Sequence, residues 1–148
     1  MVRALSEEEK KRIIVRDEQV QINLFFGDAP YALGHIVIQP VTRKHDISEL
    51  TDKHWKILSE WIPRVSNAMK KVLKEVSGKE VQKVYICSFN ESEEYTVHFH
   101  VIPRYEYETL MGPDLLFHRV KAKSIISPSD RDAIVSKMKK ELGIEKKE

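Results

Sequence analysis

The chain has 148 residues, enough for one domain of ordinary size with its own hydrophobic core. Hydrophobic residues make up 41% and charged residues 32%, and the formal net charge is only +2, which argues against a disordered chain and against a nucleic-acid-binding surface. No apolar run approaches the roughly 20 residues of a membrane span, and residues 1–11 lack the apolar core of a secretory signal, so we expect a cytoplasmic protein with neither a membrane nor a nucleic-acid partner.

The first forty residues predict a short helix and three strands. Ser6, followed by three glutamates, is typical of a helix N-cap with acidic residues in the first turn. Residues 13–17 predict a strand, and the alternation of apolar and polar residues over 20–25 predicts a second strand that is buried on one face only. A break over 27–30 separates it from a third strand at 34–38, which is ended by a proline.

The rest of the chain predicts a long helix, two strands and a final helix. Apolar residues recur at spacings of three and four from Thr51 to Gly78, which is typical of an amphipathic helix. Pro63 lies inside this helix and predicts a kink or a break. Two strands follow at 81–89 and 95–103, joined by a polar connection, and a Ser-Pro pair opens the final helix.

The order of these elements predicts the fold class. Strands, one long helix, further strands and a terminal helix are typical of an α+β domain with a mainly antiparallel sheet of about five strands. We expect a single domain over residues 1–148, with short helices at both ends. Cys87 is the only cysteine, which excludes an intramolecular disulfide and a CxxC zinc site.

Two histidines in the fifth predicted strand are the strongest sign of chemistry. Strand alternation places His98, His100 and Thr96 on one face of the sheet, and Val97 and Phe99 on the other. Two neighbouring imidazoles can bind a metal, can divide catalytic work between a nucleophile and a charge-stabilising donor, or can form a satisfied structural pair. The residue pattern alone leaves these three interpretations open.

The surrounding motifs stand in a characteristic order. The segment VHFHVIPRY at 97–105 is preceded by GHIVIQP at 34–40, and between them come the basic–His pair at 44–45 and an acidic–Leu helix start at 48–51. Over about residues 20 to 105, the chain resembles the histidine-triad superfamily. Pro30-Tyr31 resembles a Pro-Tyr pair of its dinucleoside polyphosphate hydrolase branch.

The resemblance implies a HIT-like fold and a nucleotide site. His98 takes the place of the histidine that attacks an α-phosphate, in a hydrolase or nucleotidyl transferase that cleaves phosphoric anhydrides or phosphoramidates. His100 would donate to the phosphate oxygens and stabilise their charge, and His35 would help to orient the nucleophile. The resemblance also implies a homodimer and no required cofactor, apart from Mg²⁺ that accompanies a polyphosphate substrate. The implied nucleotide or phosphate contacts are Asn90, Ser92, Asp28 and Arg104.

The sequence departs from the family pattern at three places. Thr96 stands where the family has the first histidine of the triad, and a threonine hydroxyl does not relay protons near neutral pH. The loss of a general acid lowers turnover on the order of 10²-fold, while binding is retained. The loop at 91–94 carries three carboxylates that would repel a polyphosphate, although Ser92 can replace a family hydroxyl. Gly27 stands at the ribose-contacting position, with Asp28 next to it as a substitute.

These departures keep two alternatives beside the enzyme. One is a nucleotide-binding module with little or no turnover, which the threonine and the acidic loop favour. The other is a metal-dependent protein that uses the cluster of His98, His100 and His35 together with a carboxylate.

Overall fold

The described part of the chain, residues 4–27, 30–117 and 126–144 of the computed structural model, contains five strands and four α-helices. They follow the predicted order, and a 3₁₀ turn and α3 are additions that the sequence pattern did not predict. The elements are α1 (Glu7–Lys10), β1 (Ile13–Arg16), β2 (Val20–Leu24), β3 (Ile36–Pro40), the 3₁₀ turn (Ile47–Glu49), α2 (Asp52–Ser77), β4 (Val81–Cys87), β5 (Phe99–Tyr105), α3 (Pro113–Phe117) and α4 (Pro128–Glu141).

The five strands form one sheet in the order β1-β2-β3-β5-β4, and every neighbouring pair is antiparallel. The predicted α+β fold with an antiparallel sheet is therefore confirmed. β5 lies between β3 and β4, so Val37 and Cys87 are both Cα partners of His100. This order brings the strand that follows His35 beside the strand that follows His98.

One face of the sheet carries the hydrophobic core. Ile22, Ile38 and Val101 join side chains of α2 and α4 in a single buried cluster. α2 is continuous from Asp52 to Ser77, so the break predicted at Pro63 does not occur. Its apolar residues on both sides of the proline belong to the same core cluster, and this burial holds the two halves together.

The opposite face of the sheet is more buried than the sequence predicted. Gln21 and Asn23 are 3% and 2% exposed, so all five residues of β2 are buried and the predicted half-buried strand is wrong. The N-terminal segment and the residues after β2 lie over this second face, where they enclose a cavity with the sheet. In the described ranges, no helix is long and apolar enough to cross a membrane.

Candidate active site

The cavity on the second face of the sheet has a volume of about 520 Å³, within the range of small-molecule sites. Its floor runs across three strands, because Val37 of β3 is paired with His100 of β5 and with Asn23 of β2. Its walls come from the segment around α1 and from the loops that follow β2, follow β3 and precede β5. The lining residues are Leu5, Glu9, Gln21, Asn23, Phe25, Phe26, Gly27, Val37, Gln39, Pro40, Val41, Thr42, Glu94, Tyr95, Thr96, His98 and His100.

The histidine pair belongs to the lining of this cavity. Thr96, His98 and His100 all line it, as alternation predicted, and Val97 and Phe99 lie in the core on the other side. The rings of His98 and His100 are 5.0 Å apart between centroids and nearly perpendicular. The regular strand begins only at Phe99, later than the sequence predicted, so His98 lies just before β5.

A main-chain contact orients the ring of His98. Its Nδ1 lies 3.0 Å from the carbonyl oxygen of Thr96. A carbonyl oxygen can only accept, so Nδ1 carries the proton and donates it to this bond. In the neutral ring, the lone pair of His98 is therefore on Nε2, the nitrogen atom that can act as a nucleophile.

A second chain of contacts sets the tautomer of His100. The backbone N–H of Tyr31 donates to Nδ1 of His35 at 3.3 Å, which places the proton of neutral His35 on Nε2. That Nε2 lies 2.9 Å from Nδ1 of His100, so His35 donates and His100 accepts. His100 then carries its own proton on Nε2. Its ring can thus donate a hydrogen bond, whereas the ring of His98 offers a lone pair.

Packing immobilises His35 between its neighbours. Its exposed fraction is 1%, and its ring stacks on Phe25 with centroids 4.5 Å apart and an interplanar angle of 8°. Tyr31 lies against both histidine rings, with centroid distances of 5.4 Å to His35 and 6.3 Å to His100. The family motif indicated His35 in the sequence, but it did not predict the aromatic neighbours Phe25 and Tyr31.

The loop before His98 is held by the turn that follows β3. The N–H of Val97 donates to the carbonyl oxygen of Lys44 at 2.9 Å. Nδ1 of His45 donates to the carbonyl oxygen of Tyr95, also at 2.9 Å. The two segments lie fifty residues apart in the chain. The pair at 44–45 therefore positions the main chain that leads into the site.

The four implied nucleotide contacts are placed differently from one another. Asn90 is bonded to the main chain of His98, and Ser92 is exposed and accepts a hydrogen bond from the N–H of Glu94. Arg104 lies on β5, where its Cα partner in the sheet is Lys83 of β4, and it does not line the cavity. Asp28 lies outside the described residues.

Sequence reasoning missed the polar floor of the cavity and one serine. Nε2 of Gln21 donates to Oδ1 of Asn23 at 3.1 Å, and Nδ2 of Asn23 donates to the carbonyl oxygen of Leu24 at 2.7 Å. Within the described residues, Oε1 of Gln21 has no hydrogen-bond partner. Their alternating polar positions were the available signal, but alternation by itself indicates a solvent-facing side. Ser88, which bonds the carbonyl oxygen of His98, gave no signal in the sequence.

The acidic loop contributes one carboxylate to the cavity wall. All three glutamates are exposed, but only Glu94 is among the lining residues of the cavity. In the part of the chain that the structure describes, no group of three or more His, Cys, Asp or Glu residues is arranged to hold a metal ion. The facing nitrogens of His35 and His100 are joined by a hydrogen bond.

Comparison with solved structures gives the same fold. A histidine triad protein from Sinorhizobium meliloti superposes with a TM-score of 0.65 at 18% identity, covering 93% of this chain and 95% of that one. A hypothetical histidine triad nucleotide-binding protein from Sulfolobus tokodaii has a TM-score of 0.62 at 15% identity, with coverages of 89% and 83%. The diadenosine triphosphate hydrolase of Plasmodium falciparum has a TM-score of 0.60 at 14% identity, with coverages of 88% and 76%.

Comparison at the level of sequence gives the family. No curated protein matches the chain. The HIT domain family matches residues 6–107, more than half of the chain, and this stretch contains β1 to β5, α2 and the histidines of the cavity. The chain belongs to the HIT domain family.

Proposed function

We propose that this protein is a nucleotidyl hydrolase or transferase in which His98 attacks the α-phosphate of a nucleotide derivative. One observation carries the proposal: Nδ1 of His98 is committed to the Thr96 carbonyl oxygen, so the Nε2 lone pair is the reactive atom of a residue that lines a cavity of nucleotide size. The folds shared with a nucleotide-binding protein and a diadenosine triphosphate hydrolase support the same substrate class.

The proposed reaction consists of two displacements at phosphorus. In the first, the Nε2 lone pair of His98 forms a P–N bond while the bond to the leaving group breaks, and the leaving group departs with that electron pair. In the second, water attacks the same phosphorus, the P–N bond breaks, and its electron pair returns to Nε2, while the proton of water passes to solvent. An acceptor other than water would make the same protein a transferase.

In the proposed mechanism, His100 stabilises the charge on the phosphate. Its Nδ1 accepts from His35, so its Nε2–H is the donor, and the rings of His98 and His100 are 5.0 Å apart between centroids. A fixed donor beside developing negative charge lowers the barrier without reorganisation. Thr96 cannot supply a proton in the same way, because its hydroxyl is not acidic near neutral pH. We therefore expect leaving groups that depart as stable anions, such as nucleotides from a phosphoric anhydride, to be cleaved faster than amines from a phosphoramidate.

Turnover with a matched pair of histidine variants tests this function. The full chain is incubated with nucleoside phosphoramidates, dinucleoside polyphosphates and nucleotide sugars, and products are separated by chromatography. His98→Ala should reduce turnover to the uncatalysed background, because the substitution removes the nucleophile. His54→Gln is the control: His54 completes the N-terminal capping box of α2 and does not line the cavity, and glutamine can make the same contact. Turnover that survives in His98→Ala would refute the covalent mechanism.

The alternative function is a nucleotide-binding module, and Thr96 favours it. In that case wild type and His98→Ala would both bind adenosine 5′-monophosphate and neither would turn over any member of the panel. Titration calorimetry beside the turnover assay separates the two functions. Loss of activity in the presence of a chelator, restored by one transition metal, would instead favour a metal-dependent protein.

Two further properties belong to this proposal. Mg²⁺ enters only with a polyphosphate substrate, so the anhydride assays are run with and without it.

The protein is proposed to be a homodimer joined through β4, which is an edge strand of the sheet. Ile86 of β4 is 40% exposed and Trp55 of α2 is 41% exposed, so both are available for such an interface. Analytical ultracentrifugation distinguishes the dimer from a monomer.

A further inference from the structure

The nucleophile lies where the regular sheet ends. β4 stops at Cys87, whose Cα partner is His100, and β5 starts at Phe99. His98 is therefore the first residue beyond the ladder of backbone hydrogen bonds. Its main-chain groups lie next to a reactive centre, where a loose backbone would let the imidazole drift away from the phosphorus.

Two side chains make the hydrogen bonds to the main chain of His98 that the sheet does not provide. Oγ of Ser88 donates to the carbonyl oxygen of His98 at 2.6 Å, a short bond. The N–H of His98 donates to Oδ1 of Asn90 at 3.4 Å, and Nδ2 of Asn90 donates to Oγ of Ser88 at 3.0 Å. The three bonds close a ring that holds both main-chain groups of His98.

The donor and acceptor roles in this ring are determined by chemistry. The hydroxyl of Ser88 has one proton, which it gives to the carbonyl oxygen, so it can only accept from Asn90. The amide of Asn90 must therefore turn its NH₂ toward Ser88 and its oxygen toward the N–H of His98. A flipped amide would face that N–H with its own donors, so the orientation has no competing alternative.

We propose that Ser88 and Asn90 are positioning residues that aim His98 at the phosphorus, an inference that rests on the proposed function. Together with the bond from Nδ1 to the Thr96 carbonyl oxygen, they engage every hydrogen-bonding group of His98 except Nε2. Catalytic groups must be held to within about 0.5 Å, and a displacement of about 1 Å can cost 10²-fold in rate. The hydroxyl of Ser88 and the amide of Asn90 thus act on rate through the nucleophile, without touching the substrate.

This role differs from the phosphate contact that the family resemblance implied for Asn90. A side chain that binds phosphate contributes to affinity, so its removal weakens nucleotide binding. A side chain that holds the nucleophile contributes to the chemical step, so its removal lowers kcat and leaves the dissociation constant unchanged. The two roles therefore separate in a kinetic experiment.

The test compares Ser88→Ala, Ser88→Thr and Asn90→Ala with the control Ser59→Ala in the full chain. Ser59 is an exposed serine of α2 that does not line the cavity, and its hydroxyl donates to the carbonyl oxygen of Lys56 in the same helix. We expect kcat to fall by about 10- to 10²-fold in Ser88→Ala and Asn90→Ala. The dissociation constant for adenosine 5′-monophosphate should stay within about twofold of wild type. Ser88→Thr, which keeps the hydroxyl, should recover most of the rate, and Ser59→Ala should resemble wild type.

A second readout is independent of turnover. The ¹⁵N chemical shifts of the His98 ring report which nitrogen is protonated, and wild type should show the Nδ1–H form that the Thr96 bond imposes. In Ser88→Ala the released main chain should give a mixture of tautomers, while Ser59→Ala keeps the wild-type pattern.

Three results would overturn the inference: weaker nucleotide binding with unchanged kcat in Asn90→Ala, an equal loss of rate in Ser88→Ala and Ser59→Ala, or unchanged ring shifts in Ser88→Ala. A wild type that binds nucleotide without turnover would refute only the proposed function, because the ring shifts still decide whether the two side chains hold His98.

Discussion

His98 and His100 are two residues apart, yet the structure assigns them opposite hydrogen-bonding roles. The Thr96 carbonyl oxygen takes the Nδ1 proton of His98, and Nε2 of His35 donates to Nδ1 of His100. Nε2 is left with a lone pair in the ring of His98 and with a proton in the ring of His100. A neighbour's hydrogen bond thus decides which chemistry an imidazole can perform.

Replacing Thr96 with histidine tests how this site protonates its leaving group. The bond between Nδ1 of His98 and residue 96 uses a main-chain carbonyl oxygen, so Thr96→His keeps it. The added imidazole lines the cavity, where it can act as a general acid, and kcat for a nucleoside phosphoramidate should rise on the order of 10²-fold. The rate for an anhydride, whose leaving group needs no proton, should change much less.

Steady-state rates with the two substrates measure this difference, and Thr96→Gln, which is polar but cannot relay a proton, is the control. An equal effect of Thr96→His on both substrates would show that residue 96 does not take part in leaving-group departure.

At the scale of elements, α2 and the segment that leads into β3 share one close contact. Gly34 has a φ of 85°, and a Cβ at this position would overlap the side chain of Leu73, which is fully buried. The glycine lets the helix lie directly against the backbone that precedes His35. Because Gly34 has no side chain, α2 can pack closely against the segment that positions His35.

Gly34→Ala should separate this packing effect from backbone strain when compared with Gly78→Ala. Gly78, which ends α2, has a similar φ of 74°, but apart from its own chain neighbours no described residue comes within 4 Å of the position that a Cβ would take there. Gly78→Ala should cost about 1 kcal/mol of unfolding free energy from strain alone. Gly34→Ala should cost at least about 2 kcal/mol, since overpacking adds about 1–3 kcal/mol.

Urea denaturation measures both values. Gly34→Ala should also lower turnover because it displaces His35, and equal destabilisation of the two variants would contradict the close contact with Leu73.

At the scale of the whole molecule, the two ends of the described chain are joined by an ion pair. Nη1 of Arg131 in α4 donates to both carboxylate oxygens of Glu8 in α1, at 3.0 and 3.1 Å, and Arg131 is only 8% exposed. α4 packs against α2 and β1, and α1 leads into β1 and lines the cavity through Glu9. The ion pair therefore ties one wall of the cavity to the core.

This ion pair predicts a pH dependence of stability. The hydrogen bond from Arg131, supported by Arg12, lowers the pKa of Glu8 from its usual value of 4.5. A carboxylate whose pKa is lower in the folded state stabilises it above the usual value, and this contribution disappears as the pH falls through the lowered pKa. Glu8→Gln should therefore have a lower Tm than wild type at pH 7, and the difference should shrink below about pH 4.5.

Thermal melts from pH 7 down to pH 3 check this expectation, with Glu7→Gln as the control. Glu7 pairs with Lys10 at the surface, where the two side chains are 88% and 58% exposed, so its removal should change the Tm little. A Tm difference for Glu8→Gln that does not vary with pH would show that the ion pair does not contribute through the charge of Glu8.

The sequence by itself determined the features that depend on local spacing. Alternation along a strand places residues two apart on one face, which is why Thr96, His98 and His100 could be assigned to one surface. Spacings of three and four residues predicted α2, and its N-terminal cap and the glycine after it were visible as residue types. These features follow from backbone geometry over a few residues, and they were enough to predict the fold class and the histidine face.

Tertiary structure alone decided the contacts between distant parts of the chain. The bond between His35 and His100 spans 65 residues, and it exists because β3 and β5 are neighbours in the sheet. The burial of Gln21 depends on segments that cover the second face, and the bond from Ser88 to His98 depends on where β4 and β5 part. Such contacts are selected by the packing of the whole domain, and no local pattern specifies which polar group will meet which partner.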